Sequence, residues 1–283
     1  MDTAHTQFDF TSCPKSGQGC HKWLFYISCK AVDEGLTDEE AEPLIRKAMT
    51  RAPTPPSEIM DALRSARREE RVPSMVWNPR NETAIKEIVG KDLLPGLNKY
   101  QNFEPLSRLP QPEMWIDQLF PGNPLLCIGK TSSLFRTKPR EEWRGLEKFN
   151  SLIVPSPMTA VKGRTKAGTL SEHSLDNTGP RRYLILEFDQ GPELDQLKLI
   201  FHLADYGPLV LICRSGGKSL HAWFRAKDEE DLKLITFMQY GVSLGADPRT
   251  WLASQFVRLP DGTRFENKNP QSVIYYDPEQ LPQ

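Results

Sequence analysis

Apolar residues recur at helical spacing through residue 72. Trp23, Leu24, Ile27 and Ala31 share one helical face, and Gly35 supplies a stop. Ala41, Leu44, Ile45, Ala48 and Met49 follow the i, i+3, i+4, i+7, i+8 pattern of a half-buried helix. Thr37 with Glu40 has the spacing of a capping box, although Pro43 fits that start poorly and argues for a later one. After the break at "APTPP" (52–56), Ser57 opens a third helix with Ile59, Ala62, Leu63 and Ala66 on one face. The expectation is a small helical bundle over 1–72. Residues 73–120 are rich in Pro, Asn and Gly and read as a linker with irregular structure.

From 121 to 283 the periodicity changes. "RYLILEFD" (182–189), "LVLIC" (209–213), "SLHAWF" (219–224), "QFVRLP" (255–260) and "SVIYY" (272–276) read as strands. Two helices intervene, one through Leu194, Leu197, Ile200, Leu203 and Ala204, the other through Leu234, Ile235, Met238 and Val242. The order β-α-β-β-α-β-β excludes a doubly wound parallel sheet. It predicts an α+β fold with a mixed, partly antiparallel sheet.

Composition adds bounds. The chain has 283 residues and a net charge of −1, so any polyanion site must be a local patch. The opening "MDTAHTQFDF" lacks the features of a secretory signal. The apolar runs are far below the roughly 20 residues of a membrane span. Five cysteines do not read as a disulfide framework, and a cytoplasmic setting with no membrane partner is the expectation. Cys13, Cys20, His21 and Cys29 lack the paired spacing of a zinc site. Cys213 reads as packing in a buried strand.

The stretch "CRSGGKSLHAWF" (213–224) contains Gly-Lys-Ser, but it is not a Walker loop. Counting back from Gly217-Lys218-Ser219, the first glycine position holds Ile212, and the residues after Lys218 alternate as a strand where a Walker loop would open a helix. The same count at Gly129-Lys130-Thr131 meets Pro124. A hairpin explains more. Leu220, Ala222 and Phe224 then face the core, and Ser219, His221 and Trp223 the other side. In the earlier strand Leu184, Leu186 and Phe188 form the apolar face, leaving Glu187 and Asp189 side by side about 7 Å apart. Such carboxylates repel unless a cation lies between them, and hard oxygen donors suit Mg²⁺ or Mn²⁺. The plainer alternative is a pair of acids at a solvated strand end.

Together these residues resemble the catalytic core of the archaeo-eukaryotic primase superfamily, the primase-polymerases. "LILEFD" is similar to its acidic-pair motif, "SGGKSLHAWF" to its glycine-rich hairpin ending in Ser-x-His, and "GADPRTWLASQFVRLPDGTR" to its third acid with a trailing Arg-Leu-Pro stretch. The pair here begins with Glu187 instead of Asp, and Asp261 stands where Gly is common. The N-terminal helices resemble a helical module that usually follows such cores.

The resemblance implies an RRM-like core and two-metal, template-directed nucleotidyl transfer. Glu187, Asp189 and Asp247 would hold the ions. Ser215, Gly216, Gly217, Lys218, Ser219, His221 and Arg258 would bind an NTP or dNTP. The implied setting is DNA replication, in a mobile element or accessory system, with any helicase on a separate chain. A single-stranded DNA template is the implied partner. Lys130, Arg136, Lys138, Arg140, Arg144, Lys162 and Arg164, interleaved with Phe135, Trp143 and Phe149, suit such a strand. Two alternatives stay open: a catalytically inactive nucleic-acid-binding replication protein of the same fold, and a metal-dependent nuclease built on the acidic pair.

Overall fold

The computed structural model describes residues 13–14, 20–68, 77–91, 111–146 and 149–282. The chain divides into two compact units, Met1–Val76 and Trp77–Gln283. It is of α+β class, and no described helix is long and apolar enough to cross a membrane.

The first unit contains α1 (Cys20–Asp33), α2 (Asp38–Ala48) and α3 (Glu58–Arg68). Trp23, Leu24, Ile27, Ala41, Ile45, Ile59 and Leu63 meet in one core. The capping box forms: the Thr37 amide donates to Glu40 Oε2 at 2.8 Å and the Glu40 amide to Thr37 Oγ1 at 3.3 Å. Pro43 lies inside α2 without moving its start. Its missing N–H leaves only the carbonyl of exposed Glu39 without a helical donor, which water can supply.

The second unit begins earlier than its composition suggests. The Pro- and Asn-rich segment contributes α4 (Glu82–Val89) and α5 (Pro112–Leu119) to its cores. Of the expected 73–120 linker, residues 73–76 and 92–110 lie outside the described residues, as do 69–72 at the end of the expected bundle. One antiparallel sheet has β1 (Leu125–Thr131), β2 (Leu134–Pro139), β3 (Leu152–Ile153) and β9 (Val257–Arg258) in the order β2-β1-β3-β9. A separate pair, β4 (Gly163–Arg164) and β5 (Leu170–Ser171), forms a short ribbon.

The second sheet has β6 (Tyr183–Phe188), β7 (Leu209–Arg214), β8 (Leu220–Arg225) and β10 (Val273–Tyr276) in the order β10-β7-β8-β6. Helices α6 (Glu193–Leu203) and α7 (Asp231–Ser243) bury Leu184, Leu186, Phe188, Leu220, Ala222 and Phe224 against one face. The opposite face is buried too: Tyr183, Ile185 and Trp223 pack on Ile128, Ile153 and Val257 of the first sheet. The layers are therefore helices, sheet, sheet. In an RRM-like sheet the last strand would lie beside the first. Here β10 lies beside β7, while the turn after α7 lies against β6, with the Asp247 amide donating to the Glu187 carbonyl at 2.9 Å.

Candidate functional site

The site is built where β6 ends. Glu187 and His221 are direct partners in the β6–β8 ladder, so both side chains project from the same face. His221 Nε2 lies 3.6 Å from Glu187 Oε1. The imidazole is 3% exposed, and neither of its ring nitrogens has a hydrogen-bond partner among the described residues. Burial lowers its pKa; Glu187 and Asp247 oppose that shift, while Arg258 and Arg264 add to it. The ring is held neutral, with a donor and an acceptor unspent.

Asp247 joins this edge through its amide bond to Glu187, although 60 residue positions separate them in the chain. Its carboxylate caps the short 3₁₀ turn Pro248–Trp251 by accepting the Arg249 amide at 2.9 Å, and it also accepts Arg249 Nε and Nη2. Burial pushes Asp247 upward, but the hydrogen bonds and charge of Arg249 outweigh it and hold the carboxyl below its ordinary value. The Arg249 guanidinium is raised in turn, first by its hydrogen bonds to Asp247 and with smaller contributions from Glu187 and Asp189. Asp189 faces Lys218, with Nζ 3.4 Å from Oδ2, both exposed.

The hairpin turn holds itself. Ser215 Oγ accepts from the amides of Gly217 and Ser219 at 3.3 Å and from Ser219 Oγ at 2.9 Å. Thus the Gly217 amide and the Ser219 hydroxyl proton, expected on phosphate, are spent within the turn, with the Ser215 oxygen as their acceptor. Gly216, at φ +73°, gives its carbonyl to the side-chain amides of Asn267 and Asn269. Buried Gln196 of α6 donates to the Lys218 carbonyl and accepts the Leu220 amide, which fixes the base of the hairpin.

Over this turn lies Arg264, a residue that no sequence pattern singles out. A Cβ built on Gly217 would come 2.6 Å from Arg264 Nη1, so the guanidinium uses the space that glycine leaves. Arg258, half-buried on β9, has its pKa lowered by burial and then by the charge of Arg264. Two cations lie beside a buried, unpartnered imidazole, and Glu266, paired with Arg264 Nε at 3.1 Å, offsets part of their charge, leaving a weakly anion-attracting corner. Asp261 is structural: at φ +54° it accepts Trp115 Nε1 at 2.8 Å, the Gln111 amide at 3.2 Å and the Val273 amide at 2.9 Å. Cys213 is buried on β7, and burial raises its thiol.

Three carboxylates at one edge suit a hard divalent ion in donor type. Among the described residues, however, no group of three His, Cys, Asp or Glu is assembled for a metal. Arg249 and Lys218 stand in as cations at Asp247 and Asp189. In donor type the three carboxylates suit such ions, while Asp247 and Asp189 are paired here with Arg249 and Lys218.

The basic segment divides. Lys130, Arg136 and Lys138 line a groove of about 320 Å³ with Trp143 and Phe149. Arg140 is fully buried, donating to Asp117 Oδ1 at 2.9 Å and to the Glu113 carbonyl at 3.3 Å. It is a structural ion pair and is not available to nucleic acid. Arg144 is held by Glu141, Glu113 and Asp117. Lys162 is exposed beside the β4–β5 ribbon, and Arg164 is exposed on it. Cys13 and Cys20 are buried free thiols 3.1 Å apart, and the side chain of His21 lies outside the described residues. Compared with known proteins, the chain matches no family model, no curated protein and no solved structure.

Proposed function

We propose that this site carries out template-directed nucleotidyl transfer of the primase-polymerase type. The observation that supports it most is the Asp247–Glu187 backbone bond, which brings a third acid to an edge already holding Asp189 and the unpartnered His221. Bound Mg²⁺ or Mn²⁺, held by Glu187, Asp189 and Asp247, would supply charge neutralisation at the α-phosphate. His221, Arg258, Arg264 and Lys218 would bind the triphosphate, the arginines through planar forks. A 3′-hydroxyl oxygen bonds to the α-phosphorus, the bond to the β-phosphate oxygen breaks, pyrophosphate leaves, and the hydroxyl proton passes to solvent. The neutral imidazole orients a phosphate oxygen by donating one hydrogen bond.

A second reading is a nucleic-acid-binding replication protein without turnover. It is favoured by the Arg249 and Lys218 pairs, which leave no assembled metal set among the described residues. A template-dependent incorporation assay with Mg²⁺ or Mn²⁺ separates the two. Incorporation lost in Asp189→Ala supports transfer. DNA binding without incorporation by the unaltered chain supports the second reading, and strand cleavage supports a nuclease.

A further inference from the structure

The groove on the β1–β2 hairpin is formed by strand alternation. Arg136 pairs with Ile128 and Lys138 with Leu126, so Leu134, Arg136 and Lys138 share a face with Leu126 and Ile128. Toward the core that face is apolar and buried; toward the edge it turns basic. Trp143 closes the floor, its ring 5.3 Å from Lys138 Nζ and its Nε1 donating to the Leu126 carbonyl at 3.1 Å. Phe149 is 58% exposed and Leu134 52%. No acid is among the described lining residues. At one end Asn150 accepts the Thr263 amide through its carbonyl at 3.4 Å, and the next residue is Arg264, over the hairpin turn.

We propose that this groove binds single-stranded nucleic acid, with Lys130, Arg136 and Lys138 on its phosphates and Phe149 stacked on a base. Arg136 and Lys138 stand about 7 Å apart along β2, a separation that adjacent phosphates of an extended strand can match. Exposed aromatic surface among cations serves base stacking and backbone contact together, whereas an acidic peptide would use the cations alone. The inference deepens the proposed function by locating the strand, but its argument does not need turnover.

The test is fluorescence anisotropy of a labelled dT12 oligonucleotide with the full chain, without metal or nucleotide. Phe149→Ala should weaken binding about tenfold, and Phe149→Trp should retain it. Arg136→Gln with Lys138→Gln should flatten the slope of log K against log salt by about 1.4, roughly 0.7 for each lost phosphate contact. Unchanged affinity and slope in the groove variants, or equal competition by poly-glutamate of the same length, would overturn the proposal. If the groove variants behave as expected while the unaltered chain incorporates no nucleotide, the catalytic reading fails and the groove stands.

Discussion

Glu187 and His221 oppose each other across one rung of an antiparallel ladder, carboxylate to imidazole at 3.6 Å. The separation is too long for a hydrogen bond, and the buried ring has no other partner among the described residues. An unsatisfied buried polar group costs stability on the order of 1–3 kcal/mol. His221→Leu is therefore expected to leave the melting temperature unchanged or raised while weakening nucleotide binding. A variant that loses stability and keeps its nucleotide affinity would make His221 a structural residue.

Arg264 should matter as much as Arg258. Its guanidinium lies over Gly217. Arg264→Ala is expected to weaken nucleoside triphosphate binding about tenfold, the scale of one charged hydrogen bond. Gly217→Ala, whose methyl group would displace that guanidinium, should weaken it in the same direction with little change in melting temperature. Isothermal titration with a non-hydrolysable triphosphate measures both.

Much of this site was legible in the sequence because strand alternation is a strict rule. The faces of β6 and β8 follow from single residues, and so does the failure of the Walker spacing. What lay beyond reach was long-range. Arg140 looks like another surface cation until Asp117, 23 positions earlier, meets it in the interior. Of the first sheet only β9 was legible, within "QFVRLP"; its partners escaped notice because β3 is two residues long and β1 carries Gly129 and Lys130. Arg264 carries no local signal, since only the return of its loop to Gly217 gives it a place. The second face of the β6–β8 sheet is buried only because another sheet covers it.

Arg249 acts as the resident cation at the acid edge. Its removal should free Asp247 for a divalent ion. Arg249→Gln is expected to bind Mn²⁺ more tightly, measured by the loss of the free-ion signal in electron paramagnetic resonance. Unchanged or weaker binding would show that Asp247 does not take part.

His173 stacks on Phe256 with ring centroids 4.2 Å apart, and its Nε2 lies within hydrogen-bond distance of the Ser254 carbonyl. Burial lowers its pKa against the weaker opposing bond to Ser254. A lowered histidine pKa means the unfolded chain binds more protons, so stability falls as pH drops below the unfolded value of about 6.5. His202 and His221 shift in the same direction. His173→Phe should flatten, without abolishing, the fall in melting temperature between pH 7.5 and 5.5. An unchanged pH dependence would contradict this.

The most direct test concerns Asp247, the acid farthest along the chain from the pair at the end of β6. Template-dependent extension of a labelled primer by the unaltered chain, with Mn²⁺ and all nucleotides, is compared with Asp247→Asn. The account predicts extension by the first and at least a hundredfold slower extension by the second, the range set by losing one preorganised charged group at a reacting centre. Equal extension by both proteins would contradict it.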